Sequence, residues 1–517
     1  MPTYTAPGVY VEEVPSSQKV LSAAPTAITA FVGFTAKAPA DDPNDPLGLA
    51  PRLVTSWTQF ESLYGGFIEG AVLPLSVYGY FANGGSIAYI VRVPNSEPAG
   101  QPATVALPAS DRALGLPIAI ESVEPDADIS VVVNTDDAEE ASFTLTILEG
   151  GVEVESFPGL TLGSGDTNVA TATKSSTKIK VKLDLAKDAD LASQLELIKP
   201  GVYPLEKAAP LPVSVTGRAF AGSESARAGI NGLAVADDVT IVVVPDLITA
   251  ATKADGSVDL NLWKAVQTAL ISHCEQNGNR MAILDAPPGF SPQQIKEWRS
   301  EIAMYDSAFA ALYYPWIKVE NPIGVNGNAE VFVPPSGHIA GVWARTDDTR
   351  GVWKAPANDT IRGVLDIERA ITQNEQSLLN PIGINCIRPF GTRGIRIWGA
   401  RTLSSDTDWR YINVRRLFNM IESAILEGTQ YAVFEPNDMS TWEGIKRTLT
   451  AFLRGLWNAG ALFGASADQA FYVKCDAETN PPESIDEGKL VVEVGIAPVK
   501  PAEFVIFRIS QTKQSAS

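Results

Sequence analysis

The sequence contains no apolar run near the roughly twenty residues that a membrane-crossing helix needs. Its opening, Met1-Pro2-Thr3-Tyr4-Thr5-Ala6-Pro7-Gly8, carries neither the basic nor the apolar region of a secretion signal. Entry into a bilayer or a secretion channel is therefore not expected. Cysteine is scarce: Cys274, Cys386 and Cys475 lie far apart, make no C-x-x-C pair and match no metal-ligand spacing. That argues against a disulfide framework and predicts reduced thiols.

Catalytic signatures are missing too. There is no G-x-x-x-x-G-K-[ST] loop, no G-x-G-x-x-G after a strand, no G-x-S-x-G elbow and no H-E-x-x-H helix. Only two histidines occur, His273 and His338. His273 adjoins Cys274 on a predicted helix, where neighbours point about 100° apart and cannot easily share a proton. His338 lies in a turn-rich segment. No cofactor, no metal and no catalytic residue are expected.

Charge is present but unevenly spread. The net charge is −20, with 8 basic against 19 acidic side chains in residues 96–210, and 15 of each in 386–517. The acidic balance of the middle argues against a nucleic-acid partner there, because phosphate neutralisation needs clustered Lys and Arg. An exposed, solubilising surface accounts for it.

The 517 residues suit about three domains. Near-continuous apolar runs at 27–34, 88–93, 239–244, 280–284 and 308–314 predict strands buried on both faces of a parallel sheet. Helices fall between them. Leu262, Trp263, Val266, Leu270 and Ile271 recur at helical spacing. Ser291-Pro292-Gln293-Gln294 is a capping box, with Ile295, Trp298 and Ile302 on the face that follows. Short strands at 129–133, 142–148, 152–157 and 179–183 mark a β-rich segment. Beyond 386, Val414, Leu417, Phe418, Ile421 and Ile425 form one stripe. Trp442, Ile445, Leu449, Phe452, Leu453 and Leu456 form a second, closed at Asn458-Ala459-Gly460.

The predicted fold class is an α/β core with a mostly parallel sheet, an inserted β-rich domain and an α+β C-terminal domain with extended terminal arms. The boundaries are an arm at 1–18, a discontinuous core at 19–95 and 211–385, an acidic outer domain at 96–210, a C-terminal domain at 386–500 and a final arm at 501–517.

Asp246 and Asp285 sit at the carboxyl ends of predicted strands, where α/β sheets bind ligands. Two readings stand: metal ligands or general bases of a hydrolase-like enzyme, or residues that cap helices and turns. At the chain ends, Val9, Tyr10, Val11, Glu12 and Val14 have strand composition between proline-rich flanks. Phe504, Val505, Ile506, Phe507 and Ile509 form an apolar strand followed by a polar tail. A strand with unpaired edges invites association. These strands either pair within their own chain or add to a sheet in a neighbouring copy.

The segments Tyr4 to Glu13, Pro334 to Asp347 continuing through Arg350 to Asn358, Asn380 to Asn385, Trp398 to Leu403, Trp409 to Arg416, Ala461 to Gly464 and Ile496 to Phe504 together resemble contractile phage tail sheath proteins. The acidic insertion carries little of the likeness. A single chain is more similar to the phage or extracellular injection-particle type than to the split type VI sheath. The α/β region of this family is sometimes called subtilisin-like, but no such constellation is visible here.

The resemblance implies a non-enzymatic subunit of hexameric rings stacked around an inner tube protein, between a baseplate and a tail terminator or cap. Assembly in the bacterial cytoplasm, as part of a phage tail or a released tail-like particle, follows from it. It also implies that the arms complete a small sheet in adjoining copies and that the insertion lies outside. Arg415, Arg416, Arg447 and Arg454 are candidate tube-facing residues, with basic residues on a solvated face as the competing reading.

Overall fold

A computed structural model describes residues 21–39, 45, 48–93, 104–106, 118–123, 129–137, 142–162, 165–183, 200–205, 215–253, 255–324 and 329–508. The N-terminal strand residues Val9, Tyr10, Val11, Glu12 and Val14, and Ile509, lie outside the described residues. The chain forms two compact units, Met1–Pro94 with Val215–Ser517, and Asn95–Ser214.

In the larger unit, eight strands make one sheet: β1 (Thr29–Gly33), β2 (Arg52–Val54), β3 (Ala88–Arg92), β4 (Ile241–Val243), β5 (Met281–Asp285), β6 (Ala310–Tyr314), β7 (Ile384–Pro389) and β8 (Ile395–Trp398). Their order is β8-β7-β6-β5-β4-β1-β3-β2. The six inner strands run parallel, while β2 and β8 close the edges antiparallel. Every residue of β1, β4, β5 and β6 is buried, the outcome expected of apolar runs covered on both faces. Because β7 and β8 belong to this sheet, the α/β layer extends through Trp398, and the expected boundary at 385/386 shifts accordingly.

Helices α1 (Trp57–Tyr64), α2 (Leu73–Asn83), α3 (Leu260–Asn277) and α4 (Pro292–Glu297) join the strands, and α5 (Ser336–Arg350) packs on the sheet. The Ser291 capping box forms as expected. The helix then widens into a π-turn over Trp298–Ala303, so Ile295 and Trp298 stay buried while Ile302 is exposed. The added residue per turn rotates Ile302 off the face that 3.6-residue spacing assigned to it. A three-stranded sheet of 317–320, 330–333 and 364–367 went unread in the sequence.

A second core lies around α6 (Ile412–Thr429) and α7 (Met439–Asn458), with Leu417, Ile421, Ile445, Leu449 and Leu453 inside it. Gly460, at φ +83°, ends α7, and Ala461 N–H returns to Leu456 C=O at 2.9 Å. Beyond it, Phe471–Lys474 and Glu493–Ile496 pair antiparallel as a sheet of only two strands among the described residues.

The smaller unit has its own apolar core, including Ile120, Val131, Phe143, Leu145 and Ile147. Its strands form a four-stranded antiparallel sheet in which 201–204 pairs with the start of 129–137, next to 142–149 and 152–160. A three-stranded sheet joins 104–106, 118–122 and 179–183.

Candidate assembly surface

The crevice where an α/β sheet would bind a ligand is filled by the chain's own side chains. Strand β1 pairs with β3 on one side and β4 on the other, so the strand order reverses there. Asp246 follows β4 and is fully buried. Its carboxylate accepts the backbone N–H groups of Phe34, Val72 and Leu73 at 2.5 to 3.1 Å, joining the end of β1 to the start of α2. A Cβ on Gly33 would stand 2.4 Å from Asp246 Oδ2, so only glycine admits this approach. Burial pushes the Asp246 carboxyl up to about 7 against the pull of those three amides. Asp285, at the end of β5, accepts the Ser336 N–H at 2.9 Å and so caps α5 from another element. Burial raises it to about 7 as well. The cavity beside Asp285, lined by Val244, Trp263, Gln267 and Leu284, holds about 10 Å³, room for one water. The capping reading of both aspartates is the one their geometry supports.

The remaining candidates for chemistry are buried as well. His273 Nε2 lies 3.0 Å from Arg280 Nη1, and burial first, then Arg280, lowers it to about 4. His338 is buried against Gly79 and lowered to about 4 by burial. Cys274, Cys386 and Cys475 are buried free thiols. Among the described residues no group of three or more His, Cys, Asp or Glu is arranged to hold a metal, and no helix is long and apolar enough to cross a membrane.

Arg415 and Arg416 are not surface cations. Both are buried in α6. The Arg416 guanidinium binds both oxygens of Asp347 on α5, at 2.9 and 2.5 Å, and donates to Thr26 C=O at 2.8 Å. It also lies 4.7 Å from the Trp343 ring. Arg415 is surrounded by the rings of Phe309, Trp409 and Phe418 at 4.8, 4.3 and 5.6 Å, and burial lowers its pKa. Helix α6 is covered on several sides near its start, so its basic residues act as internal ties. Arg447 and Arg454, seven residues apart on α7, are exposed.

The root of the N-terminal segment is seated in the same helical core. Leu21 and Ala24 pack with Leu417, Met420 and Ala424, and a Cβ on Gly428 would stand 2.4 Å from Leu21 Cδ2.

The C-terminal segment is different. Residues 501–508 join no strand ladder among the described residues, and Phe504, Val505, Ile506 and Phe507 are 70 to 84% exposed. A groove of about 1340 Å³ separates this segment from Trp353, Phe390, Trp398 and Tyr411. One residue earlier, Glu503 is gripped. Arg401 Nε donates to Oε1 at 2.9 Å and Arg401 Nη2 to Oε2 at 2.5 Å. Asn380 Nδ2 donates to Oε1 at 2.7 Å, and Tyr411 Oη to Oε2 at 3.4 Å. Burial opposes ionisation of Glu503, yet the hydrogen bonds from Arg401 and Asn380 prevail and hold its carboxyl below the usual range. Sequence reading passed over this grip; the available signal was a single carboxylate directly before a doubly apolar run.

The crevice is plugged, and the apolar segment offered to solvent is the kind of exposed patch that marks an interaction site. Two family models cover consecutive stretches: the phage tail sheath protein central domain matches residues 232–403, and the phage tail sheath C-terminal domain matches 404–512. The chain belongs to the phage tail sheath family. It is similar to the tail sheath protein of Vibrio phage KVP40, 26% identical over 322 residues, 57% of this chain and 47% of that one. The matched stretches take in about half the length of such curated relatives. Among solved structures, the anti-feeding prophage helical sheath in its contracted state is 26% identical at a TM-score of 0.59, covering 99% of this chain and 100% of that one. A contracted-state PVC sheath complex of an extracellular contractile injection system is 25% identical at 0.57, covering 99% of each.

Proposed function

We propose that this chain is the sheath subunit of a contractile tail or tail-like injection particle, polymerising as stacked hexameric rings around an inner tube. A baseplate and a tail terminator bound the stack. Contraction drives the tube through a target envelope, and stored conformational energy supplies the work, not nucleotide hydrolysis. The observation that carries this reading is the apolar run Phe504–Phe507, rooted at Glu503 and paired with nothing in its own chain among the described residues. A small two-stranded sheet is marginal by itself and gains from added strands. Arms from adjacent copies, 9–14 and 504–509, supply them through main-chain hydrogen bonds, and such links persist while the bodies they join rotate.

The energetic scale is adequate. New burial on the order of 1000 Å² per subunit, at ~25 cal/mol/Å², offers ~25 kcal/mol before ordering costs. A fraction of this, multiplied over a long stack, suffices without ATP. Resemblance to sheath structures captured contracted supports the same reading. Co-expression with the cognate tube protein, followed by negative-stain microscopy, tests it. Full-length chain should give sheathed tubes, and chains lacking residues 1–15 or 504–517 should give only small particles. Normal sheaths from both truncations would refute the proposal.

A further inference from the structure

A strand apolar on one face finds its register by itself, because a slip of one residue would turn that face to water. The run Phe504-Val505-Ile506-Phe507 has no such preference: both alternating faces are apolar. A one-residue slip, about 3.3 Å along the strand, leaves its pattern almost unchanged. If the segment pairs with a neighbour in one register, something outside the segment must set it.

The chain is fixed up to one residue before that run. Ala497 N–H bonds to Ala470 C=O and Ala497 C=O accepts from Phe463 N–H, both at 2.8 Å. Val499 C=O accepts from Asn413 Nδ2 at 3.0 Å. Pro501 then limits the backbone, and Glu503 closes the series with four donors on its two oxygens. The grip is itself anchored in the sheet. Arg401 donates from Nη1 to Asn380 C=O at 3.2 Å. Its backbone N–H and C=O both bond the Asn385 side chain at 2.8 Å. Asn385 lies on β7 and reaches Leu312 of β6 at 3.2 Å.

We propose that Glu503 is the positioning residue of the C-terminal arm: its carboxylate, held by Arg401, Asn380 and Tyr411, fixes where and in which direction Phe504 leaves the body, so that a second copy of this chain receives the arm in a single register. The inference rests on the reading that the arm is lent between copies. A planar guanidinium on a planar carboxylate restrains rotation as well as distance, which a single point contact would not do. With the grip gone, the free length grows from the residues after 503 to those after Val499.

The test uses the full chain co-expressed with its tube protein. Glu503→Gln and Arg401→Met sheaths, imaged by cryo-electron microscopy, should show an ordered body with arm density smeared over neighbouring registers, and sheath yield should fall roughly tenfold, the ratio that one charge-assisted hydrogen bond corresponds to. The charge-exchanged double variant, Arg401→Glu with Glu503→Arg, should recover sharp density. Should the single variants form no sheath, an unchanged melting temperature together with recovery in the double variant supports the positioning role; a lowered melting temperature without recovery overturns it. Sharp, single-register arms in Glu503→Gln sheaths also overturn it. Removal of 504–517 separates the two readings. Normal sheaths from that truncation refute arm lending itself, whereas loss of sheaths beside sharp Glu503→Gln arms refutes only the role of Glu503.

Discussion

Buried ionisable side chains decide the pH response. His273 and His338 are lowered to about 4 in the fold against an ordinary 6.5, so the unfolded chain binds more protons between those values. Stability from these residues falls as pH drops from 6.5 toward 4. Asp246 and Asp285 are raised to about 7 from 3.8, so the folded chain binds more protons there, and stability from them rises over the same descent. The two pairs offset one another. Asp285→Asn keeps an oxygen for Ser336 N–H and removes one offsetting proton. Its melting temperature should therefore drop more steeply than wild type between pH 6.5 and 4, as scanning calorimetry at half-unit steps would show. The Arg416–Asp347 pair is a second residue-scale case. Arg416→Met strands a buried carboxylate and should cost about 3–5 kcal/mol. Asp347→Leu with Arg416→Met should restore most of that loss in denaturant titrations.

Two faces of one helix carry different duties. The inner face of α7 sets Ile445, Leu449 and Leu453 into the second core. Leu453→Ala should lower stability by about 2–5 kcal/mol, measured by denaturant unfolding. On its outer face, Arg447 and Arg454 are exposed, so reversing both to Glu should leave the unfolding midpoint of the free subunit within about 0.5 kcal/mol of wild type. We propose that these two residues grip acidic patches on the tube, so the same reversal should abolish assembly there. Sheathed tubes in normal number from the reversed variant would remove that role. Arg415 and Arg416 no longer belong to this proposal, because they are bonded inside the subunit.

Taken whole, the molecule is two compact units with separate apolar cores. Residues 95–214 expressed alone should unfold in one cooperative thermal transition, since the unit's core residues lie within it. A broad, non-cooperative melt would show that it depends on the rest of the chain. The arms belong to a still larger scale. Phe504–Phe507 find no partner strand among the described residues of their own subunit, so the proposed assembly is where their burial is completed.

Local chemistry was legible wherever a short segment carries its own instruction. Runs apolar on both faces fixed β1, β4, β5 and β6, and Ser291 with Gln294 fixed a helix start, because burial and capping act within a few residues. The long segments resembling sheath proteins pointed to the family. Tertiary contact decided the rest. Ile302 left its face through a π-turn. Arg415 and Arg416 went inside because α6 is covered near its start, and helical periodicity records one apolar stripe but not what packs on the polar side. Asp246 and Asp285 became caps because amides from distant elements, Phe34, Val72, Leu73 and Ser336, converge on them. Glu503 became an anchor because Asn380, Arg401 and Tyr411, 92 to 123 residues away in sequence, meet at one carboxylate. Such meetings are set by the folded path of the chain, and no local pattern encodes them.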